Sequence, residues 1–159
     1  MIKEVVQALN DQLNMELYSA YIYQAMAAQF HSEGREGFAN WFDAQAREEL
    51  EHARKIYDHL NERGERVELE AVDKPPFSWD SVLDAFQDAL EHEKKVTESI
   101  NNLVALAREN DDYATESFLQ WFVDEQVEEE DSVGAIVEKL ERLDETGLMV
   151  LDRELSERQ

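Results

Sequence analysis

Apolar side chains recur at helical spacing through almost the whole chain, and very little interrupts them. From residue 2 to about 31 the stripe runs Ile2, Val5, Val6, Leu9, Leu13, Leu17, Ala20, Tyr23, Ala27 and Phe30. A second stripe, about 36–62, passes through Phe38, Phe42, Ile56 and Leu60. A third, about 79–109, carries Trp79, Val82, Phe86, Ala89, Val96, Ile100 and Leu103, with Ser78 as its expected N-cap. A fourth, about 112–143, carries Phe118, Phe122, Val133, Ile136 and Leu140. Only five Gly and two Pro break the pattern. His31-Ser32-Glu33-Gly34 reads as a turn, Arg63-Gly64 as a helix end with Gly in the left-handed position, and Asn110-Asp111-Asp112 as a break. Gly147 ends the fourth region, and a short fifth helix is expected from 148 to about 157.

Residues 64–77 differ. Val67-Glu68-Leu69-Glu70 alternates as an extended strand does, and Lys74-Pro75-Pro76 forbids helix. Helices of ~30 residues are ~45 Å long. Four of them, with short first and last turns and one long crossover between the second and third, give an all-α fold. It is a four-helix bundle whose second hairpin lies antiparallel on the first. The chain of 159 residues suits one domain, 1–159.

Fifteen basic residues stand against 38 acidic ones, a net charge of −23. Such a chain repels nucleic acid and anionic membranes, and its natural small partners are cations. With no cysteine, disulfides, thiolate zinc sites, iron–sulfur clusters and thiol catalysis are excluded. No apolar run approaches the ~18 residues of a membrane span. Met1-Ile2-Lys3-Glu4 turns amphipathic at once, so a cytoplasmic location is expected. Six lysines against nine arginines in so acidic a chain also suit a high-salt cytoplasm, a competing origin for the charge.

Certain acids fall on the wrong face. Glu16 sits three after Leu13 and seven before Tyr23, on the apolar stripe of the first helix. The second stripe reads Phe42, Gln45, Glu49, His52, Ile56, and the fourth reads Phe122, Gln126, Glu129, Val133, Ile136. Glu93 lies four after Ala89 and seven before Ile100. One such Glu most often snorkels, one His is most often a bonded core residue, and a run such as 124–131 is most often a solvated face. Four inward acids at matching depth, with no inward Lys or Arg, are not explained that way. Buried together they would be forced to take up protons. Two divalent cations would balance the four charges, and His52, three residues after Glu49, adds a neutral nitrogen from the same helix turn. Oxygen-rich ligation with a single imidazole suits iron or manganese better than structural zinc.

Glu48-Glu49-Leu50-Glu51-His52 and the run Gln120 to Glu130 then bear on family. Dinuclear carboxylate bundles carry Glu-x-x-His on two helices. Here the second copy is replaced by Gln126-Val127-Glu128-Glu129. With Glu16, Tyr23, Glu93 and the Pro75-Pro76 crossover, the chain resembles the non-haem ferritins of bacteria and archaea over essentially its whole length. The resemblance implies a ferritin-like bundle with a ferroxidase centre, iron storage and detoxification. Ferrous iron would be oxidised by dioxygen or peroxide, and ferric mineral deposited in a hollow shell of twenty-four chains, the fifth helix lining a symmetry axis. It implies that Glu16, Glu49 and His52 hold one iron and Glu49, Glu93 and Glu129 a second. Gln126 would bond nearby, and Glu48, Glu125 and Glu128 would add a third, looser iron site. Tyr23 and Trp121 match aromatics able to donate electrons. Bacterioferritins bind haem through a Met on the second helix. None of Met1, Met15, Met26 and Met149 lies there, so no haem is expected.

Two rivals stay open in the sequence: a dinuclear oxygenase or peroxidase acting on an organic substrate, and a metal-free bundle with a salt-adapted surface. Among lesser features, His31, His59 and His92 are expected at turns or on the surface. Gly134 is expected at a bend or close helix contact, or as neutral drift. Trp41 and Trp79 are expected in packing or subunit contacts.

Overall fold

A computed structural model describes residues 1–157; Arg158 and Gln159, the end of the expected domain, lie outside the described residues. Among the described residues there are five helices: α1 (Lys3–Ser32), α2 (Glu36–Glu62), α3 (Val82–Glu109), α4 (Tyr113–Leu140) and α5 (Glu145–Leu155). No strand occurs among the described residues, and no helix is long and apolar enough to cross a membrane.

The core is divided. One cluster holds Tyr23, Met26, Phe30, Phe38, Phe42, Phe86, Ile136 and their neighbours. It joins the C-terminal half of α1 to the N-terminal halves of α2 and α3 and the C-terminal half of α4. The other holds Val5, Leu9, Leu13, Ile56, Leu60, Val96, Ile100, Leu119 and Phe122, from the opposite halves. That sorting fixes the directions: α1 and α4 run one way, α2 and α3 the other. Between the clusters lies a layer of buried polar side chains.

The 63–81 crossover returns the chain along α1. Asn10 donates to the Arg66 carbonyl and accepts from the Glu68 amide at 2.8 Å. At the far end Gln29 pairs with both the amide (2.7 Å) and carbonyl (2.8 Å) of Trp79. These bonds replace a strand ladder. The alternation at 67–70 reflects Val67 packed on the core beside Leu69, which is 65% exposed.

Three boundaries differ from the sequence reading. Ser81, not Ser78, caps α3, its hydroxyl accepting from the Asp84 amide at 3.0 Å. Trp79 stays outside the helix because Gln29 holds its backbone. The fourth helix ends at Leu140 rather than near 143. The fifth begins at Glu145 rather than 148, because Asp144 caps it by accepting from the Gly147 amide at 2.8 Å. Gly147 thus opens a helix instead of ending a region. Gly64 does take the left-handed conformation, with φ of +74°.

The first turn of α2 has no cap of its own. Asp152 of α5 supplies one, accepting from the Phe38 amide at 3.0 Å. Gly37 permits this approach: a Cβ there would lie 1.5 Å from the Asp152 carbonyl oxygen. At Gly134 an added Cβ meets nothing within 4 Å, so no close helix contact explains that residue.

Candidate metal centre

Each long helix sends one carboxylate into the mid-level polar layer. Glu16 and Glu93 are 0% exposed, Glu49 1% and Glu129 5%, with His52 at 3% between them. Two ligand triads form. Glu16, Glu49 and His52 bring one ligand atom each to within 4.8 Å of one another, and Glu49, Glu93 and Glu129 do the same, so Glu49 belongs to both. No Lys or Arg pairs with these carboxylates among the described residues.

Neutral hydrogen bonds hold the acids in place. Gln12 donates to Glu16 Oε1 at 3.0 Å and itself accepts from Ser99. Gln45 donates to Glu129 and, at 3.4 Å, to Glu49. The Tyr23 hydroxyl donates to Glu93 Oε1, while Gln126 Nε2 donates to Glu93 Oε2 at 3.0 Å. Two atoms are left over. Glu16 Oε2 and His52 Nδ1 are buried without a hydrogen-bond partner, although Nδ1 lies 3.1 Å from Glu49 Oε2. Orphaned buried polar atoms are rare, and these two lie 3.7 Å from each other. Together with Glu49 they could hold a metal ion.

The electrostatics match. Burial pushes the Glu49 carboxyl well above the usual carboxylate range, and Glu16 and Glu93 push it the same way. Burial, then Glu93, raises Glu129 to about 8. Burial also raises Glu93, against the pull of Tyr23 and Gln126. For Glu16 the upward push of burial is outweighed by His52, Glu49 and Gln12, and its carboxyl stays below the ordinary value. Burial, Glu93 and Glu49 hold the Tyr23 hydroxyl well above its usual range, so it keeps its proton as a donor.

The looser set is only partly gathered. Glu125 Oε1 lies 3.8 Å from His52 Nε2, and His52, Glu125 and Glu129 form a third triad. Glu48, half-buried, and Glu128, exposed, do not join these triads. Trp121 meets His52 edge-on at 5.2 Å.

Gln12, Gln45, Thr97 and Ser99 escaped the sequence reading as functional groups. Gln45 stood on the apolar stripe four before Glu49, and Gln12 four before Glu16, which was the available signal. Two histidines lie deeper than expected. His59 is buried, stacked on Phe118 at 4.0 Å and bonded to Thr115, because the end of α2 packs on the start of α4. His92 is half-buried, 2.6 Å from the Ser19 hydroxyl and edge-on to Tyr23. His31 does lie exposed, in the last turn of α1. Trp41 and Trp79 both pack against the first core cluster.

The chain is similar to known proteins over nearly its whole length. The sequence model of the ferritin-like domain matches residues 6–143. The chain is 45% identical over 158 residues to the bacterial non-heme ferritin of Staphylococcus aureus strain USA300, covering 98% of this chain and 95% of the relative. The Staphylococcus epidermidis counterpart is 44% identical over the same length. A solved open-pore ferritin from the hyperthermophilic archaeon Archaeoglobus fulgidus superimposes with a TM-score of 0.98 at 52% identity, covering 100% of this chain and 99% of that one.

Proposed function

The chain belongs to the ferritin family, and on that premise we propose that it stores iron by oxidising ferrous ions at the mid-bundle carboxylate layer. Iron is substrate and cargo here. Glu16, Glu49 and His52 receive one ferrous ion; Glu49, Glu93 and Glu129 receive the second. The observation that carries this reading is the pair of buried triads sharing Glu49.

The protonated carboxyls of the free protein give up their protons as the cations enter, so uptake releases acid. Each ferrous ion then loses one electron. Dioxygen takes both with two protons and leaves as hydrogen peroxide, or peroxide takes both with two protons and becomes two waters. Hard carboxylate oxygens favour the ferric product. Tyr23 keeps Glu93 oriented, and Tyr23 and Trp121 stand ready as electron donors. Glu125, with His52 Nε2 and Glu129, supports a third, looser position on the way out. The ferric product passes to a mineral inside a homo-oligomeric shell of twenty-four chains in the cytoplasm. The net charge of −23 supports this by concentrating cations.

An anaerobic ferrous titration read against chain concentration tests the centre. Two ions per chain are expected, followed by oxidation when oxygen is admitted. One ion or none, or side chains splayed into solvent in ferrous-soaked crystals, would overturn it. Native mass measurement tests the shell; a persistent monomer or dimer would refute storage.

A further inference from the structure

Beside the centre, α3 and α4 face each other through two pairs of residues one helical turn apart: Glu93 and Thr97 on α3, Gln126 and Glu130 on α4. Thr97 and Glu130 belong to none of the three ligand triads. Gln126 Nε2 lies within reach of three oxygens: Glu93 Oε2 at 3.0 Å, the Glu93 carbonyl at 3.2 Å and Thr97 Oγ1 at 3.2 Å. Thr97 Oγ1 in turn lies 2.7 Å from Glu130 Oε2 and 3.0 Å from the Glu93 carbonyl.

A side-chain amide offers an oxygen and a nitrogen of nearly the same shape, so its surroundings choose which end faces a neighbour. Thr97 has one hydroxyl proton and two takers. The carboxylate of Glu130 is nearer, and a carboxylate oxygen is a stronger acceptor than a backbone carbonyl. With its proton committed to Glu130, Thr97 offers Gln126 only lone pairs, which call for the nitrogen end. Without Glu130 the proton would divide between the Glu93 carbonyl, 3.0 Å away, and the oxygen of a flipped amide. The flipped amide would then set its oxygen against Glu93 Oε2 and the Glu93 carbonyl. The carboxylate would lose the bond on that side and keep only Tyr23 on the other.

We propose that Thr97 and Glu130, touching no iron, are a positioning pair that fixes which end of the Gln126 amide faces Glu93 and thereby sets the affinity of the second ferrous position. This rests on the ferroxidase reading, because Glu93 serves the second triad and not the first.

The test is anaerobic ferrous titration by calorimetry on the assembled protein, comparing the parent with Thr97→Val, Thr97→Ser, Glu130→Ala and Glu130→Gln. Thr97→Val removes the hydroxyl with little change of shape. It takes away one of the three oxygens that hold the nitrogen end toward Glu93, so it should weaken the second ferrous ion by about three- to tenfold, the worth of one net hydrogen bond, and leave the first unchanged. Glu130→Ala should act the same way. Thr97→Ser and Glu130→Gln each keep the necessary donor or acceptor and should return the second step to within about twofold. A general loss of packing would instead weaken both ions together and would not be rescued by Ser. The inference is overturned if Thr97→Val binds the second ion as the parent does, if both ions weaken equally, or if the Ser and Gln variants fail to restore it. A parent that binds no second ion overturns the ferroxidase reading and this inference with it. That outcome is distinct, because it appears before any substitution is made. Unchanged helicity of each variant by circular dichroism confirms that the comparison is between folded proteins.

Discussion

Replacing Glu129 by Gln should make the metal-free protein more stable while spoiling its iron chemistry. The carboxyl is raised to about 8, first by burial and then by Glu93, against the help of Gln45 and His52. The ordinary value is 4.5, so between 4.5 and about 8 the folded chain keeps a proton that the unfolded chain has released. Stability from this group is whole below the unfolded value and is lost as pH rises through the folded one. At pH 7 about 2.5 decades of that interval are realised, which at ~1.36 kcal/mol each comes to roughly 3 kcal/mol. Gln has the same shape, its amide oxygen can still accept from Gln45, and it cannot ionise. The assay is guanidinium denaturation of chelator-stripped protein at fixed chain concentration, from about pH 5 to about pH 8. Glu129→Gln should match the parent near the acid end and exceed it by roughly 3 kcal/mol at pH 7, the gap widening with pH. Adding zinc(II), a redox-inert divalent probe, should reverse the order, because the parent gains more from the ion. A gap that stays constant from about pH 5 to about pH 8 would refute the claim that the fold forces this carboxyl to hold its proton.

Three further outcomes follow from the same geometry. Glu93→Leu should cut ferrous oxidation by about two orders of magnitude or more, the scale of several kcal/mol of lost metal stabilisation. The metal-free fold should change little, since relief of carboxylate repulsion offsets the bonds lost by Tyr23 and Gln126; a stopped-flow oxidation trace and a denaturation curve check both. Saturating zinc(II) should raise unfolding free energy by about 2.7 kcal/mol at a hundredfold excess over its dissociation constant and block ferrous oxidation. Gly37→Ala should cost about 1–3 kcal/mol and loosen α5, because its Cβ meets the Asp152 carbonyl, whereas Gly134→Ala should gain up to about 1 kcal/mol. Hydrogen exchange over 145–155 distinguishes the two.

The architecture was readable because its signal is redundant. Each long helix repeats the apolar spacing over many turns, so Glu16, Glu49, Glu93 and Glu129 stood out as misplaced. Helix ends were read less well, since they depend on single contacts distant in sequence. Trp79 looks helical until Gln29, fifty residues earlier, claims its backbone. The fifth helix starts early for the local reason that Asp144 accepts from Gly147, a capping signal the Gly obscured. The ordinary habits of histidine put His59 and His92 at turns or on the surface, but both face neighbouring helices, which only the packing reveals. In the site, charge on an apolar stripe announces itself. A glutamine does so faintly, and a threonine such as Thr97 not at all.

The division of the apolar core into two clusters has a consequence for how such a protein adapts. The rods are bolted together at both ends, and the reactive level between carries almost no greasy adhesive of its own. Heat tolerance can therefore be tuned by repacking either extremity, leaving the ion-handling storey untouched. Conversely, the like-charge strain at that storey is confined between two fasteners, so emptying it of cations should loosen the waist before it loosens the ends.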